Sequence, residues 1–191
     1  MRESLVYGVG ISDADYVVQD HKLDWLCPFY STWHNMLQRC YSEVYHKRQP
    51  TYIDCFVDTP WLRFSTFKNW MLTQNWEGNE LDKDILNRGN KVYSSDNCVF
   101  VSKQVNTFLS ERGAERGDYP IGVGLHKPSG LYRARCGDTL GGRKNLGYFK
   151  TPEAAHKAWL TYKLEQARIL ASKQTDIRVA EALVKRYEDY K

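Results

Sequence analysis

"IGVGLHKPSGLYRARCGDTLGGRKNLGYFKTPEAAHKAWLTYK", residues 121–163, decides how the second half of this 191-residue chain folds. Three short runs of alternating character, "IGVGLHK", "LYRARCG" and "RKNLGYF", are joined by "PSG" and "DTLGG". Glycine-rich connections between such runs predict a three-stranded antiparallel meander. Thr151, Pro152 and Glu153 then supply a cap, a proline for the first helical position and an acid for the first turn. The helix so started carries Ala155, Ala158, Trp159, Tyr162 and Leu164 and is expected to run to about Ala171, its small alanines lying close across one face of the sheet. A last helix is expected over 176–190, starting at Thr175 or Asp176, with Ile177, Ala180, Leu183, Val184 and Tyr187 at helical spacing.

The other face of that sheet is basic. Arg133 and Arg135 are two residues apart on the middle strand and so project the same way. Arg143 and Lys144 open the third strand, with Lys127 and Lys150 near strand ends. Such a sheet is narrow enough to enter the major groove of B-DNA, roughly 12 Å wide, where arginines bond guanine and lysines meet phosphates. The plainer alternative is a solvated polar face. Charge distribution favours a polyanion: residues 1–109 hold 11 Lys+Arg against 13 Asp+Glu, a balance of −2, whereas residues 110–191 hold 16 against 10, a balance of +6.

Upstream, "LSERGAERGDYP" (109–120) combines charge, two glycines and a proline without apolar periodicity and reads as a linker. It divides the chain into domains at 1–110 and 119–191, joined by 111–118. In the first, "PFYSTWHNMLQRCYSEVY" (28–45) carries a helical stripe with Ser31 or Thr32 as cap, and "TYIDCFV" (51–57) reads as a strand. "WLRFSTFKNWMLTQ" (61–74) places Trp61, Phe64, Phe67, Trp70 and Met71 on one helical face, a pattern of core packing. "LDKDI" and "CVFV" read as short strands around a Gly-Asn loop, followed by a short helix from "SKQVNTFLS". The fold class is therefore α+β: aromatic helices with a strand–loop–strand–helix unit, then a three-stranded antiparallel sheet packed on a helix, then a terminal helix.

No apolar run approaches the roughly 20 residues that cross a bilayer, and "MRESLVYGVG" lacks the layout of a secretion signal, so a cytosolic protein is the expectation. Five cysteines, at 27, 40, 55, 98 and 136, stand singly and in odd number, as reduced thiols do. A zinc cluster from Cys27, Cys40, Cys55 and Cys98 would need four isolated ligands from distant segments; buried thiols are the expected reading and structural zinc is not.

Residues 121–163 resemble the AP2 DNA-binding domain of plant transcription factors and phage homing endonucleases, through the Gly-Val opening, Y-R-A-R, L-G-Y-F, T-P-E-A-A and an aromatic on the helix. The resemblance implies a sheet that reads the major groove of double-stranded DNA. By position it carries that role onto Lys127, Arg133, Arg135, Arg143 and Lys144, and a packing role onto Leu146, Tyr148, Phe149, Ala155 and Trp159.

Residues 5–108 resemble phage proteins labelled HNH endonuclease-like, through "VYGVGISDADYV", "CPFYSTWHNMLQRCYSE", "PTYIDCFV", the W-x-x-F-x-x-F-x-x-W stretch and "LDKDILNRGNKVYSSDNCVFV". The resemblance implies a β-β-α clasp around one divalent metal, Mg or Mn, that hydrolyses a phosphodiester. Its metal-holding acid matches Asp82 or Asp84, its loop asparagine Asn97 and its distal ligand Asn106. Its general-base histidine falls on Lys83, and a lysine with an ordinary pKa near 10.4 is a poor base at neutral pH. Three readings stay open: Lys83 as a phosphate clamp without cleavage, an acid holding the metal while another group or a metal-bound water serves as base, or His34 or His46 folded into the site. Asp58 stands where similar proteins carry a further cysteine. The leading expectation is a phage-type DNA-binding protein with endonuclease or nickase activity, acting in the host bacterial cytoplasm. A catalytically inactive DNA-binding regulator or anti-defence factor comes second. A protein-interaction role for the aromatic helices, with DNA irrelevant, comes third.

Overall fold

A computed structural model describes the chain apart from residues 1–4, 21, 23, 111–117, 138–141 and 190–191. It is a mixed α+β protein with small sheets, divided into two compact units, Met1–Lys103 and Gln104–Lys191.

The first unit opens with a two-stranded antiparallel hairpin, β1 (Gln19–Asp20) and β2 (Trp25–Leu26), which the sequence gives little sign of. Helix α1 (Pro28–Tyr41) starts at Cys27 rather than at Ser31 or Thr32. Pro28 fits the first turn because its missing N–H would have no partner there, and the Thr32 hydroxyl instead donates back to the Pro28 carbonyl (2.9 Å). The predicted helix over 28–45 breaks at Ser42, whose extended backbone ends α1 and whose hydroxyl accepts from the Tyr45 N–H to start α2 (Glu43–Arg48). A 3-10 turn at Pro50–Tyr52 replaces most of the strand expected over 51–57, leaving β3 (Phe56–Val57). Asp58 caps a second 3-10 turn, Thr59–Leu62, by accepting from the Thr59 N–H. Helix α3 (Phe64–Leu72) follows, its start held by Asp13, which accepts from the Ser65 N–H (2.8 Å) and hydroxyl (2.6 Å).

The first core forms where α1 meets α3. Trp33, Met36, Leu37, Trp61, Phe64, Phe67 and Met71 are all buried, and the Trp33 indole N–H donates to the Trp61 carbonyl (2.8 Å). Burying such side chains contributes about 1.5–3 kcal/mol each. Gly10 lies against this core so closely that a Cβ would meet Leu37 at 2.4 Å. Trp70 packs on Phe100, joining α3 to a two-stranded antiparallel ribbon of β4 (Asn79–Asp82) and β6 (Val99–Ser102). Between them β5 (Val92–Tyr93) pairs in parallel with β3.

Helix α4 (Lys103–Leu109) lies, after its first residue, in the second unit. The reason is local. Lys163 donates to the Phe108 carbonyl (2.9 Å) and Arg186 to the Leu109 carbonyl (3.3 Å), satisfying carbonyls a helix end leaves open and matching its negative pole with cations. Residues 111–117 of the expected linker fall outside the described residues.

The meander is as expected: β7 (Val123–His126), β8 (Leu131–Gly137) and β9 (Arg143–Phe149), antiparallel in that order. Thr151 caps α5 (Pro152–Ala171), accepting from the Ala154 N–H, and Asp176 caps α6 (Ile177–Glu188). Ala155 and Trp159 of α5 are buried, as are Ala134 and Cys136 of β8. Gly122, with φ of +81°, leaves room for the Trp159 indole, 2.0 Å from where a Cβ would stand.

Candidate nucleic-acid interface and the acidic loop

In the second unit the sheet register assigns Arg133, Arg135, Arg143 and Lys144 to a face. Arg133 pairs with Gly124 on one side and Tyr148 on the other; Arg135 pairs with Asn145, and Gly137 with Arg143. Paired residues share a face, so Arg133, Arg135 and Arg143 project together, away from α5. Arg135 and Arg143 are exposed and Arg133 half-buried, with its Nε–H lacking a hydrogen-bond partner. His126 lies on the same face, its ring 4.8 Å from that of the exposed Tyr148 and its Nδ1 2.8 Å from the Ser129 hydroxyl. Lys127 is exposed in the turn that follows.

Lys144 departs from expectation. It pairs with the buried Cys136 and lies over the Tyr162 ring of α5 at 4.8 Å, on the helix side of the sheet. The cause is a bulge: Ala134 pairs with Gly147 and Arg135 with Asn145, leaving Leu146 as an extra residue. One extra residue reverses the facing of everything beyond it, which turns Arg143 to the outer face and Lys144, itself exposed, to the helix side. Sequence alternation alone does not reveal a bulge, although Gly147, at φ +125° beside it, is the residue type that accompanies one.

Among the described residues no carboxylate pairs with Arg133, Arg135 or Arg143. Two acids of and before α6 are engaged elsewhere: Glu188 pairs with Arg168 (2.9 Å) and Asp176 with Arg178 (2.7 Å). Among the described residues, then, no ion pair neutralises these three arginines.

In the first unit the acidic residues form a closed loop. Asp82 ends β4, and its Oδ1 accepts from the N–H groups of Asp84 and Ile85, both at 2.8 Å. Lys83 is buried, 7% exposed; its Nζ donates to the Asn90 carbonyl (2.8 Å) and to Asp84 Oδ2 (3.1 Å). Asn90 returns the bond, its side-chain amide donating to the carbonyls of Lys83 and Val92, both at 2.7 Å. The Tyr52 and Tyr93 rings lie 5.9 and 6.0 Å from the ammonium. Asn97 accepts from Asn87 (3.1 Å) and donates to the Ser94 hydroxyl (3.0 Å), bracing the far side of the loop. Asn106, on α4, belongs to the second unit.

Burial works against the Lys83 ammonium, but the Asp84 carboxylate and its hydrogen bond outweigh it and hold the pKa above the ordinary lysine value. Lys83 is thus a fixed cation and not a base. Burial, then the nearby Asp84 charge, raise the Asp82 carboxyl despite its two amide bonds. His34 and His46 are engaged elsewhere: His34 packs on the rings of Tyr7 and Tyr30, and His46 is hydrogen bonded to the Arg39 carbonyl (2.9 Å).

A divalent ion fits these residues poorly. It would need the oxygens of Asp84 and Asn90 that the ammonium already holds, and it would sit beside a unit positive charge. Among the described residues no three His, Cys, Asp or Glu side chains come together to hold a metal. The five cysteines are buried free thiols, and burial pushes those of Cys40 and Cys98 up to about 12.

Asp82 offers a test of the loop as structure. An acid whose folded pKa is raised destabilises the fold as pH rises from its unfolded value, about 3.9, through the folded one. Asp82→Asn keeps an oxygen for the two N–H groups and removes that charge. Thermal melts should show the variant at least as stable as wild type at pH 7, with any advantage shrinking towards pH 4. A loss of several degrees at pH 7 would mean that the carboxylate itself is needed.

No helix of the described residues is long and apolar enough to cross a membrane. No family model, no curated protein and no solved structure matches the chain.

Proposed function

We propose that the protein binds double-stranded DNA through the outer face of the β7–β8–β9 sheet and does not hydrolyse it with the acidic loop. The observation that carries this reading is the placement of Arg133, Arg135 and Arg143 on one face without a carboxylate partner among the described residues. Three strands span about 10 Å between the outer two, within the width of the major groove. The AP2-like pattern of residues 121–163 supports the same partner. Arginines meet base edges in this arrangement, and Lys127, at the end of β7, meets a phosphate. Lys144 lies on the other side of the sheet and takes no part.

The HNH-like pattern supports descent from a phage-type nuclease that worked with Mg or Mn. In the present chain Lys83 holds the place of its base, so the protein acts as a binding regulator or anti-defence factor. Supercoiled plasmid incubated with the protein and Mg²⁺ or Mn²⁺ should be retarded on gels yet stay supercoiled after the protein is stripped off. Nicking that disappears in Asp84→Ala and Asn97→Ala would restore the endonuclease reading.

A further inference from the structure

We infer that His126, Leu131 and Tyr148 make one end of the sheet's outer face an apolar reader of thymine, beside the arginine end. This inference rests on the DNA-binding reading of that face and names a base it recognises. The AP2-like pattern gives Tyr148 a packing role, yet Tyr148 pairs with Arg133 on the outer face and is 44% exposed. Its ring partner lies two strands away. His126 stands on β7 and Tyr148 on β9, outer strands whose backbones are about 10 Å apart. Their rings nevertheless meet edge to face, with centroids 4.8 Å apart. The two rings therefore lean together over β8, where Leu131, paired with His126, lies on the same face.

The turn after β7 sets this pair before any ligand arrives. The His126 carbonyl accepts from the N–H groups of Ser129 (3.1 Å) and Gly130 (3.0 Å), closing a turn that Gly130 completes at φ +66°. The Ser129 hydroxyl lies 2.8 Å from the His126 Nδ1 and accepts from the Leu131 N–H (3.4 Å). The imidazole is thus held through both its backbone and its ring. Rings ordered in advance meet a ligand without a further entropic cost. Their place selects the ligand. The edges of a sheet lying in the major groove meet phosphates, whereas the middle strand faces the base edges. On those edges the apolar group is the C5-methyl of thymine, which is read by apolar contact. Arg135 is four residues from Leu131 along β8, about 13 Å, which is about four base-pair steps of roughly 3.4 Å. A methyl-sensitive thymine is therefore expected within about four base pairs of the guanine that Arg135 meets.

The test uses the full chain and synthetic duplexes of the site that wild type recovers from a random pool, with each thymine in turn replaced by deoxyuridine. Uracil lacks only the C5-methyl, so base pairing and charge are unchanged. Wild type should lose about fourfold in affinity at one thymine, the worth of a buried methyl. Tyr148→Ala should bind the thymine and uracil duplexes equally. Tyr148→Phe keeps the ring and should keep the preference. Arg135→Ala should lose affinity but keep the preference, since it acts at the other end of the face. A recovered site without thymine, wild-type affinity indifferent to every replacement, or a Tyr148→Ala protein that retains the preference would each overturn the inference and leave DNA binding standing. No complex with any duplex would overturn the DNA-binding reading itself, and this inference with it.

Discussion

Replacing Arg133 and Arg135 together by alanine is expected to abolish sequence-specific DNA binding while leaving the fold intact. Each bidentate arginine–guanine pair discriminates by about 1–3 kcal/mol, so losing two lowers specific affinity by roughly thirtyfold to twenty-thousandfold. The fold should tolerate the change for reasons visible at each site. Arg135 is exposed, and the Arg133 Nε–H has no partner to lose. Neither arginine pairs with a carboxylate among the described residues, so no described acid is stranded. The control is Lys144→Ala. Simple alternation along β9 would make Lys144 a DNA contact; the bulge at Leu146 turns it to the helix side, over Tyr162. Binding titrations on duplexes recovered from a random pool should show Lys144→Ala within about twofold of wild type, the scale of a distant screened charge. Equal losses from Lys144→Ala and from the double variant would mean that non-specific charge, not the face of the sheet, drives association.

The second large effect is on stability. Lys83→Met keeps the buried stem and removes the ammonium, leaving the Asn90 carbonyl without its donor and Asp84 without its cation. Breaking a fully buried pair costs about 3–5 kcal/mol. Asp84 is 46% exposed in its side chain and water takes up part of the loss, so about 2 kcal/mol is expected. The pH dependence has a definite sign. Lys83 has a folded pKa raised above its unfolded value, so its contribution is fully present below about pH 10 and is lost as pH rises through the folded value. The gap between wild type and Lys83→Met in denaturant should therefore be constant from neutral to mildly alkaline pH and narrow only in strong alkali. A gap that closes below pH 9 would mean that the lysine is not held by the carboxylate. Lys83→His is informative beside it: an imidazole is too short to reach the Asn90 carbonyl as the ammonium does, and should not recover the stability.

The parts of this fold that are legible in the sequence are those where one local signal dominates. Thr151-Pro152-Glu153 fixes the start of α5, and the strand lengths of the meander follow from Gly-rich turns. The core aromatics of α1 and α3 follow from helical spacing. What escapes the sequence depends on contacts between distant segments. Ser42 breaks a continuous apolar stripe because it finds a capping partner in Tyr45. The strand expected over 51–57 shrinks to Phe56–Val57 because its only strand partner among the described residues is the two-residue β5. Helix α4 continues the strand–loop–strand pattern in sequence, yet its end is held by Lys163, Arg186 and Tyr187.

The two candidate sites differ in the same way. On β8 the spacing of Arg133 and Arg135 is enough to place them together, since a period of two needs no tertiary information. On β9 the bulge defeats that rule for Lys144. In the acidic loop, sequence identifies the residues but not their roles. Asp82 is engaged by the backbone, and Asn97 braces the loop through Asn87 and Ser94. Lys83 points inward to the Asn90 carbonyl, where a phosphate clamp would point out. Asn90, which completes the lock, carries no signal in the sequence beyond its place in a Gly-Asn turn.

The most direct test of the central claim is a binding titration of the wild-type protein with duplex DNA in chelator, repeated over a series of salt concentrations. Affinity should fall steeply with salt, on a log–log slope of about −0.9 for each phosphate neutralised, and should need no divalent ion. Absence of any complex in dilute buffer, or a complex indifferent to salt, would contradict the account.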